Sequence, residues 1–285
     1  MTRIKLKRGL AAAGIAVAIS SGVAPTTLAE SAPADFTQIT TGTTKATGGL
    51  QVHGGQAIVM VGKDGKALGR CTLTTTARNG AGAQYGVTSG HCLDPKSTGG
   101  EVAAVKTIDG RTIASGAELS RAVVRHTTSP NIGITLRGIG TGNINDIAFF
   151  PLMPGVSGAP IVDSQITTGF SPVDRALGDV SRIVTPPRKL GAAMDVSQLK
   201  PGQLVYKDGA MTSRTAGVVL SVNPKTAEVT ALIPTIAGDS GSPLYVVDGK
   251  GVAHIVGNLS GGSPVLFNAF DGTRTQLAQD GLHIE

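Results

Sequence analysis

From Leu50 onward the sequence is a succession of short apolar or alternating runs, separated by Gly, Asn and Asp. Examples are QAIVMVG, EVAAVKT, DIAFFPL, GQLVYKDG and SPLYVVDG. Runs of about five to eight residues at fairly regular spacing are typical of the strands of a sandwich or barrel. Helical periodicity is scarce, and its one candidate is the tail, from about Arg274 to His283. The sequence therefore predicts an all-β fold with a short C-terminal helix.

The first 29 residues have the pattern of a secretory leader. MTRIKLKRGL contains four basic residues and no acidic one, and an apolar run follows to about Ala24, with small residues before Glu30. This pattern predicts a signal peptide over 1–29. The run is short for a membrane span, so we expect a secreted protein, free or retained at the cell envelope, with no stable membrane anchor. Residues 30–48 are rich in Thr, Ala and Gly, which predicts a linker or short pro-segment.

The remaining chain is nearly neutral and long enough for two β units. Of the 25 basic and 19 acidic residues of the whole chain, four basic ones lie in the leader. The high isoelectric point therefore comes largely from the leader, and no nucleic-acid partner is expected. Within a domain spanning 49–285, the strand pattern loosens over 155–196. This predicts an N-terminal unit at about 49–154 and a C-terminal unit at about 198–272, in a protein that we expect to be a monomer.

Cys71 and Cys92 are the two cysteines of the chain. In an exported protein such a pair favours a disulfide over a metal site, and no Cys or His cluster has zinc spacing. Closing a loop of this length is worth about 3 kcal/mol of stability on the chain-entropy model. We expect no metal and no cofactor.

Ser240 lies among small and turn-forming residues in AGDSGSPLY. Alone this is most simply a surface turn. A serine nucleophile needs a base, usually a histidine that a carboxylate orients. His91 follows an apolar run in GVTSGHCLD, and Asp146 begins one in NINDIAFFPL. These residues are the candidate base and carboxylate.

The three motifs TSGHC, DIAFF and GDSGSP occur in the order His, Asp, Ser. With them the sequence resembles the chymotrypsin/trypsin family of serine proteases, whose motifs are close to T-A-A-H-C, D-I-A-L-L and G-D-S-G-G-P. It looks nearest to the bacterial secreted, streptogrisin-like branch, in which KDGAMTSRTAGVV and LSGG also have counterparts. The resemblance extends over roughly residues 50 to 280.

The resemblance implies two six-stranded antiparallel β-barrels with the active site between them. His91 would be the general base, Asp146 its orienting carboxylate and Ser240 the nucleophile. The backbone N–H groups of Gly238 and Ser240 would form the oxyanion hole. The Cys71–Cys92 disulfide would lie beside the histidine. Asp239 would hold the turn through a buried ionic contact, for which the sequence leaves three arginines open: Arg182, Arg188 and Arg214.

The same resemblance implies a secreted serine endopeptidase that cleaves protein or peptide substrates through an acyl-enzyme. Ser260, Gly261 and Gly262 would pair with the substrate backbone, and Pro234 takes the position where trypsin-like members carry an aspartate. The segments expected to form the specificity pocket contain no charged residue, which predicts cleavage after apolar residues.

Two alternatives stay open at this stage. One is a catalytically inactive binding protein on the same scaffold. The other is an esterase or lipase, with Ser157 as nucleophile, followed by an Asp and by His254 or His283. That second fold requires helices alternating with strands, which the sequence pattern does not indicate.

Overall fold

The computed structural model describes residues 49–127, 133–135, 138–140, 144–164, 185–263 and 267–284. The predicted signal peptide (1–29) and linker (30–48) lie outside these residues. Within the described ranges, no helix is long and apolar enough to cross a membrane.

Strands account for most of the described secondary structure, which confirms the prediction of a mostly β chain. The strands of the N-terminal half are β1 (Leu50–Gly54), β2 (Ala57–Gly62), β3 (Ala67–Thr72), β4 (Thr75–Asn79), β5 (Gln84–Thr88), β6 (Val102–Thr107), β7 (Thr112–Ser115), β8 (Val123–His126), β9 (Gly133–Thr135), β10 (Gly138–Gly140), β11 (Asp146–Pro151) and β12 (Val156–Val162). The later strands are β13 (Arg188–Lys189), β14 (Leu204–Gly209), β15 (Ser213–Asn223), β16 (Glu228–Leu232), β17 (Pro243–Val247), β18 (Ala253–Ser263), β19 (Phe267–Gly272) and β20 (Leu282–His283). The helices among the described residues are α1 (Pro95–Thr98), α2 (Gly116–Leu119) and α3 (Thr273–Ala278), with 3₁₀ turns at Gly90–Cys92 and Val196–Gln198.

The C-terminal half contains a closed six-stranded barrel in the order β14-β15-β16-β19-β18-β17. All of its strand pairs are antiparallel, and β14 closes the barrel by pairing with β17. This confirms one of the two barrels that the resemblance implies.

A second closed barrel is not formed by the residues that the structure describes. The N-terminal strands lie in a five-stranded sheet, β20-β4-β5-β11-β8, and a four-stranded sheet, β3-β2-β6-β7. The chain passes from one sheet to the other at Leu73 and Thr74, whose N–H groups donate to Gln56 and Val87. A three-stranded sheet, β1-β12-β13, and the hairpin of β9 and β10 complete the described sheets.

Alternate residues of the apolar strands belong to different cores. Along β11, Ala148 and Phe150 pack into the core of the N-terminal half, whereas Ile147 and Phe149 pack into a separate core. That separate core also contains Tyr245 of β17, whose neighbour Leu244 points into the closed barrel. Side chains alternate across a strand, so a strand buried on both faces is apolar at consecutive positions. This explains the continuous runs DIAFF and PLYVV.

The C-terminal helix is shorter than the sequence predicts. Helix α3 ends at Ala278, and Gly281 takes a positive φ of 66°. The chain then forms β20, in which Leu282 pairs with Asn79 of β4. Leu277 and Leu282 are both buried, so the apolar pattern that predicts one helix is divided between a helix and an edge strand.

Candidate active site

His91 and Asp146 are joined directly by two hydrogen bonds. The Nδ1 atom of His91 lies 2.8 Å from Asp146 Oδ2, and the backbone N–H of His91 donates to Oδ1 at 2.7 Å. The Asp146 side chain is 5% exposed and that of His91 is 25% exposed. With Nδ1 held by the carboxylate, Nε2 is the ring nitrogen left for a proton transfer.

Ser240 lies in the turn before β17. This turn contacts the segments around His91. The N–H of Thr72 donates to the carbonyl of Ser240 at 2.7 Å, and Gly241 N–H donates to Leu259 at 2.9 Å. A Cβ at Gly241 would lie 2.4 Å from Thr88 Oγ1, so glycine is required there for close packing. Among the described residues, Ser240 Oγ has no hydrogen bond to His91. Such bonds are often long in unliganded enzymes and shorten when substrate binds.

The disulfide predicted between Cys71 and Cys92 is present, with Cα atoms 6.4 Å apart. The two sulfur atoms and a ring nitrogen of His91 lie within 4.8 Å of one another. Both sulfurs belong to the disulfide, so they offer no thiolate to a metal. Cys71 precedes Thr72, which bonds to Ser240, and Cys92 follows His91. The disulfide therefore connects the segment of His91 to a strand that contacts the turn of Ser240.

Reducing this disulfide should lower the free energy of unfolding by about 3 kcal/mol, because it closes a loop that spans 21 residues. Urea unfolding with and without reductant measures the effect. Reduction should not activate the protein. Two free thiols in the mass spectrum of the purified, non-reduced protein would contradict the pairing.

Gly238 has a positive φ, a backbone conformation that favours glycine. Its φ is +95°, and a Cβ there would approach Met211 Cγ to 2.7 Å, so only glycine fits without strain. Within the described part of the chain, the backbone N–H groups of Gly238 and Ser240 donate to no backbone or side-chain acceptor. Two such groups on one turn could bind a developing oxyanion.

Asp239 is fully buried, and its cationic partner is Lys207. Lys207 Nζ lies 3.0 Å from Asp239 Oδ2, and both side chains are 0% exposed. The carboxylate also accepts from the backbone N–H of Met211 and Thr212 and from the Thr212 hydroxyl. Burial lowers the pKa of Lys207, and the charge of Asp239 opposes that shift.

This corrects the expectation of an arginine partner. Arg214 instead makes two hydrogen bonds to Asp208, and the guanidinium of Arg188 lies over the ring of Tyr206. Arg182 lies outside the described residues. The sequence contains a signal for Lys207, because in the strand-like run GQLVYKDG it lies two residues after the apolar Val205 and so on the same face of the expected strand.

The predicted substrate-binding segment has one unpaired edge. Gly261 and Gly262 of β18 pair with Ala269 and Asn268 of β19. On the other side, pairing with β17 ends at Asn258. Beyond Leu259, which bonds to Ser242 and Gly241, no described strand covers that edge. Ser260 is half-buried, and its hydroxyl has no hydrogen-bond partner among the described residues.

Asn268 and Thr235 form a hydrogen-bonded polar pair next to Gly262. A Cβ at Gly262 would be 2.3 Å from Asn268 Oδ1. The buried amide of Asn268 accepts from Thr235 Oγ1 at 2.8 Å and donates to the carbonyl of Ile233 at 2.6 Å. Pro234, which lies between Ile233 and Thr235 in the chain, is exposed. The groups that the structure places here are neutral.

Asp271, buried behind Asp146, is a residue whose role the sequence did not reveal. Its Oδ2 accepts the backbone N–H of Asp146 at 2.9 Å, and its Oδ1 accepts from the Gln276 amide at 3.2 Å. Burial, together with the charges of Asp146 and Glu228, raises the pKa of Asp271 from 3.8 to about 7. These surroundings favour the neutral acid.

The raised pKa of Asp271 predicts a pH dependence of stability. The folded protein holds this proton more tightly than the unfolded chain does. The stabilisation is therefore present below an unfolded pKa near 3.8 and is lost as pH rises through about 7. We expect stability to fall between about pH 4 and about pH 7, the interval between the unfolded and folded pKa values of Asp271, measured by urea unfolding of the Ser240→Ala variant. Asp271→Asn should flatten this slope, and an unchanged slope would contradict the assignment.

A second histidine–aspartate pair lies beside the first. The Nδ1 atom of His126 is 2.7 Å from Asp94 Oδ2, and its ring centroid is 5.9 Å from that of His91. The hydrogen bond from His126 lowers the pKa of Asp94. His126 pairs with Asp146 across β8 and β11, so the sheet places the two histidines near each other.

The residues of the esterase alternative are not brought together in a comparable way. Ser157 lies on β12, opposite Gln51 of β1 in a parallel pair. His254 lies on β18, where its ring nitrogens contact the carbonyl of Ala192 and the carboxylate of Asp248. The described helices are short and do not alternate with strands, unlike those of an α/β-hydrolase.

Comparison with solved structures identifies the fold. The chain is similar to a glutamic-acid-specific serine protease that uses a histidine triad in substrate binding (TM-score 0.52, 21% identity, covering 82% of this chain and 100% of that one). It is also similar to Protease A of Thermobifida fusca (TM-score 0.51, 16% identity, covering 82% and 98%). A third similar structure is the chymotrypsin of Cellulomonas bogoriensis (TM-score 0.50, 17% identity, covering 83% and 99%).

These likenesses show that the chain has the fold of bacterial chymotrypsin-like serine proteases, as the resemblance implied. No protein-family model matches the sequence, and no curated protein sequence matches it.

Proposed function

We propose that this protein is a secreted serine endopeptidase. The observation that carries the proposal is the hydrogen-bonded pair of His91 and Asp146, adjacent to the turn of Ser240, in a fold shared with serine proteases. The disulfide supports an oxidising, extracellular compartment. Protein or peptide chains are the proposed substrates.

In the proposed mechanism, Ser240 Oγ attacks the carbonyl carbon of the scissile bond while its proton passes to His91 Nε2. Asp146 orients the ring through Nδ1 and stabilises the imidazolium that forms. The N–H groups of Gly238 and Ser240 stabilise the oxyanion. His91 then gives the proton to the leaving amine, which leaves an acyl-enzyme. Water hydrolyses the ester by the same steps and regenerates Ser240.

Labelling with a fluorophosphonate tests this proposal. The reagent should modify Ser240 of the folded protein, as identified by peptide mass spectrometry, and should not modify Ser240→Ala. Heat-unfolded protein is the matched control, because an unactivated serine does not react. A folded protein that does not label would favour the alternative of an inactive binding scaffold.

The neutral pocket supports cleavage after apolar residues. A substrate Lys or Arg would meet no counter-charge there, and burying an unpaired cation costs several kcal/mol. Asp271, the nearest acidic residue in sequence, contacts Asp146 and Gln276 instead. The pocket segments 231–237, 258–262 and 263–270 contain no histidine, which distinguishes them from a glutamate pocket built on histidines.

Hydrolysis should therefore be fastest after Phe, Leu, Tyr or Met, because burying such a side chain contributes about 1.5–3 kcal/mol. Chromogenic peptides that differ only in the residue before the scissile bond, Phe, Leu, Arg or Glu, measure the preference as kcat/KM. Faster cleavage after Arg or Glu would contradict the proposed apolar pocket.

A further inference from the structure

Three buried polar side chains form a row across the closed barrel. Glu228 of β16 is directly opposite Asp271 of β19, which is directly opposite Asn258 of β18. Their exposures are 1%, 0% and 0%. Residues directly opposite one another on paired strands lie on the same face of the sheet. We call Glu228, Asp271 and Asn258 the polar row.

The polar row holds the segment that carries Asp146. The backbone N–H of Ile144 donates to Glu228 Oε1, and that of Asp146 donates to Asp271 Oδ2 at 2.9 Å. Asn258 Nδ2 donates to the carbonyl of Asp146 at 2.9 Å. Both backbone polar groups of Asp146 are thus bound by side chains of the other half of the molecule.

The row also contacts the segment that leads to His91. Asn258 Nδ2 lies 3.3 Å from the hydroxyl of Ser89, and that hydroxyl donates to the carbonyl of Leu259 at 2.5 Å. Ser89 precedes His91 by two residues. Asn258 therefore contacts the segments of both His91 and Asp146.

Stability alone does not account for this arrangement. Asp271 is buried beside two other carboxylates, Asp146 and Glu228. In the described part of the chain, its hydrogen-bond partners are a backbone N–H and the amide of Gln276, both uncharged. Buried polar groups placed this way are often less stabilising than apolar residues of similar volume. The distinguishing feature of the polar row is that it holds the backbone of Asp146 in place.

We infer that the polar row positions the His91–Asp146 pair across the interface between the two halves, with Asp271 and Asn258 as positioning residues. The inference rests on the proposed function of His91 and Asp146. A displacement of about 1 Å at a reacting group can reduce a rate on the order of 10²-fold. Fixing the Asp146 backbone from the barrel opposes such displacements.

The experiment compares Asp271→Leu, which removes the acceptor, with Asp271→Asn, which keeps an oxygen for the Asp146 N–H. We expect Asp271→Leu to lower kcat on the order of 10²-fold with KM nearly unchanged, and Asp271→Asn to recover most of it. Val229→Ala is the matched control: it lies on β16 and faces the barrel interior, so it should lower stability without changing kcat. Should Asp271→Leu not fold, Asn258→Ala, which releases the carbonyl of Asp146, provides the same comparison.

A second measurement does not depend on turnover. The downfield proton NMR resonance of the His91 Nδ1–H reports the hydrogen bond to Asp146. We expect it in the parent, Asp271→Asn and Val229→Ala, and expect it lost or shifted in Asp271→Leu or Asn258→Ala. An inactive parent whose resonance responds in this way would refute the proposed function but support the positioning role. Unchanged kcat and resonance in both Asp271→Leu and Asn258→Ala would overturn the inference.

Discussion

Replacing Ser240 by alanine should reduce kcat on the order of 10⁶-fold, and replacing His91 should cost about as much, as for the equivalent pair in subtilisin. In the proposed mechanism the hydroxyl and the imidazole act as a unit, because the proton that Ser240 would lose is the one that His91 would accept. The double variant Ser240→Ala/His91→Ala should therefore be scarcely worse than either single variant. Hydrolysis of a chromogenic peptide with an apolar residue before the scissile bond measures all three.

Ser157→Ala is the matched control for this prediction. It removes the same hydroxyl from a half-buried serine on β12, in a sequence that distantly echoes that of Ser240. Its turnover should equal that of the parent. Loss of activity in Ser157→Ala, with activity retained in Ser240→Ala, would overturn the proposed assignment of the nucleophile.

The elements of this fold are predictable from sequence because its strands are apolar on one or both faces. The runs DIAFF and SPLYVV each contain a strand, β11 and β17. The closing of the C-terminal barrel is not visible in those runs, because periodicity assigns a residue to a face but does not say which strands are neighbours. The helix expected over Arg274–His283 is short because β20 pairs with β4, a contact between residues far apart in the chain.

The residues of the candidate site are likewise only partly predictable from the sequence. His91, Asp146 and Ser240 could be selected because each lies in a local motif, and the structure joins the first two directly. Asp271 and Asn258 lie in no such motif. Their alignment depends on the register of β18, β19 and β16, and no local pattern encodes it.

The ion pair of Lys207 is partly predictable from the sequence. An isolated buried ammonium is costly, so a lysine within a strand of buried residues requires a carboxylate partner nearby. That argument identifies Lys207 as one end of an ion pair without saying which carboxylate is the other. The structure supplies the other end, Asp239, next to the proposed nucleophile.

Replacing Lys207 by methionine should lower the free energy of unfolding by about 3–5 kcal/mol, because it leaves the buried carboxylate of Asp239 without its cation. Urea unfolding in the Ser240→Ala background measures this loss. Lys63→Met is the matched control: its ion pair with Glu101 is solvent-exposed, and exposed pairs contribute little to stability.

The same substitution should slow fluorophosphonate labelling of Ser240. Asp239 accepts from Ile236, Met211 and Thr212 as well as from Lys207, so its carboxylate connects the start of the turn that contains Gly238 and Ser240 to β14 and to the loop after it. If Asp239 takes up a proton when the cation is lost, these bonds weaken, and the N–H groups of Gly238 and Ser240 are no longer held in place. Lys207→Arg, which keeps the charge, should recover part of both the stability and the labelling rate. Parent-like stability and labelling in Lys207→Met would show that the turn is held without the ion pair.

The internal cation also bears on residues 30–48. Because Lys207 already neutralises the buried carboxylate of Asp239, the turn does not need, as that partner, a terminal ammonium group freed by cleavage of the chain. Protein expressed with residues 30–48 attached should therefore label at Ser240 as fast as protein from which they have been removed.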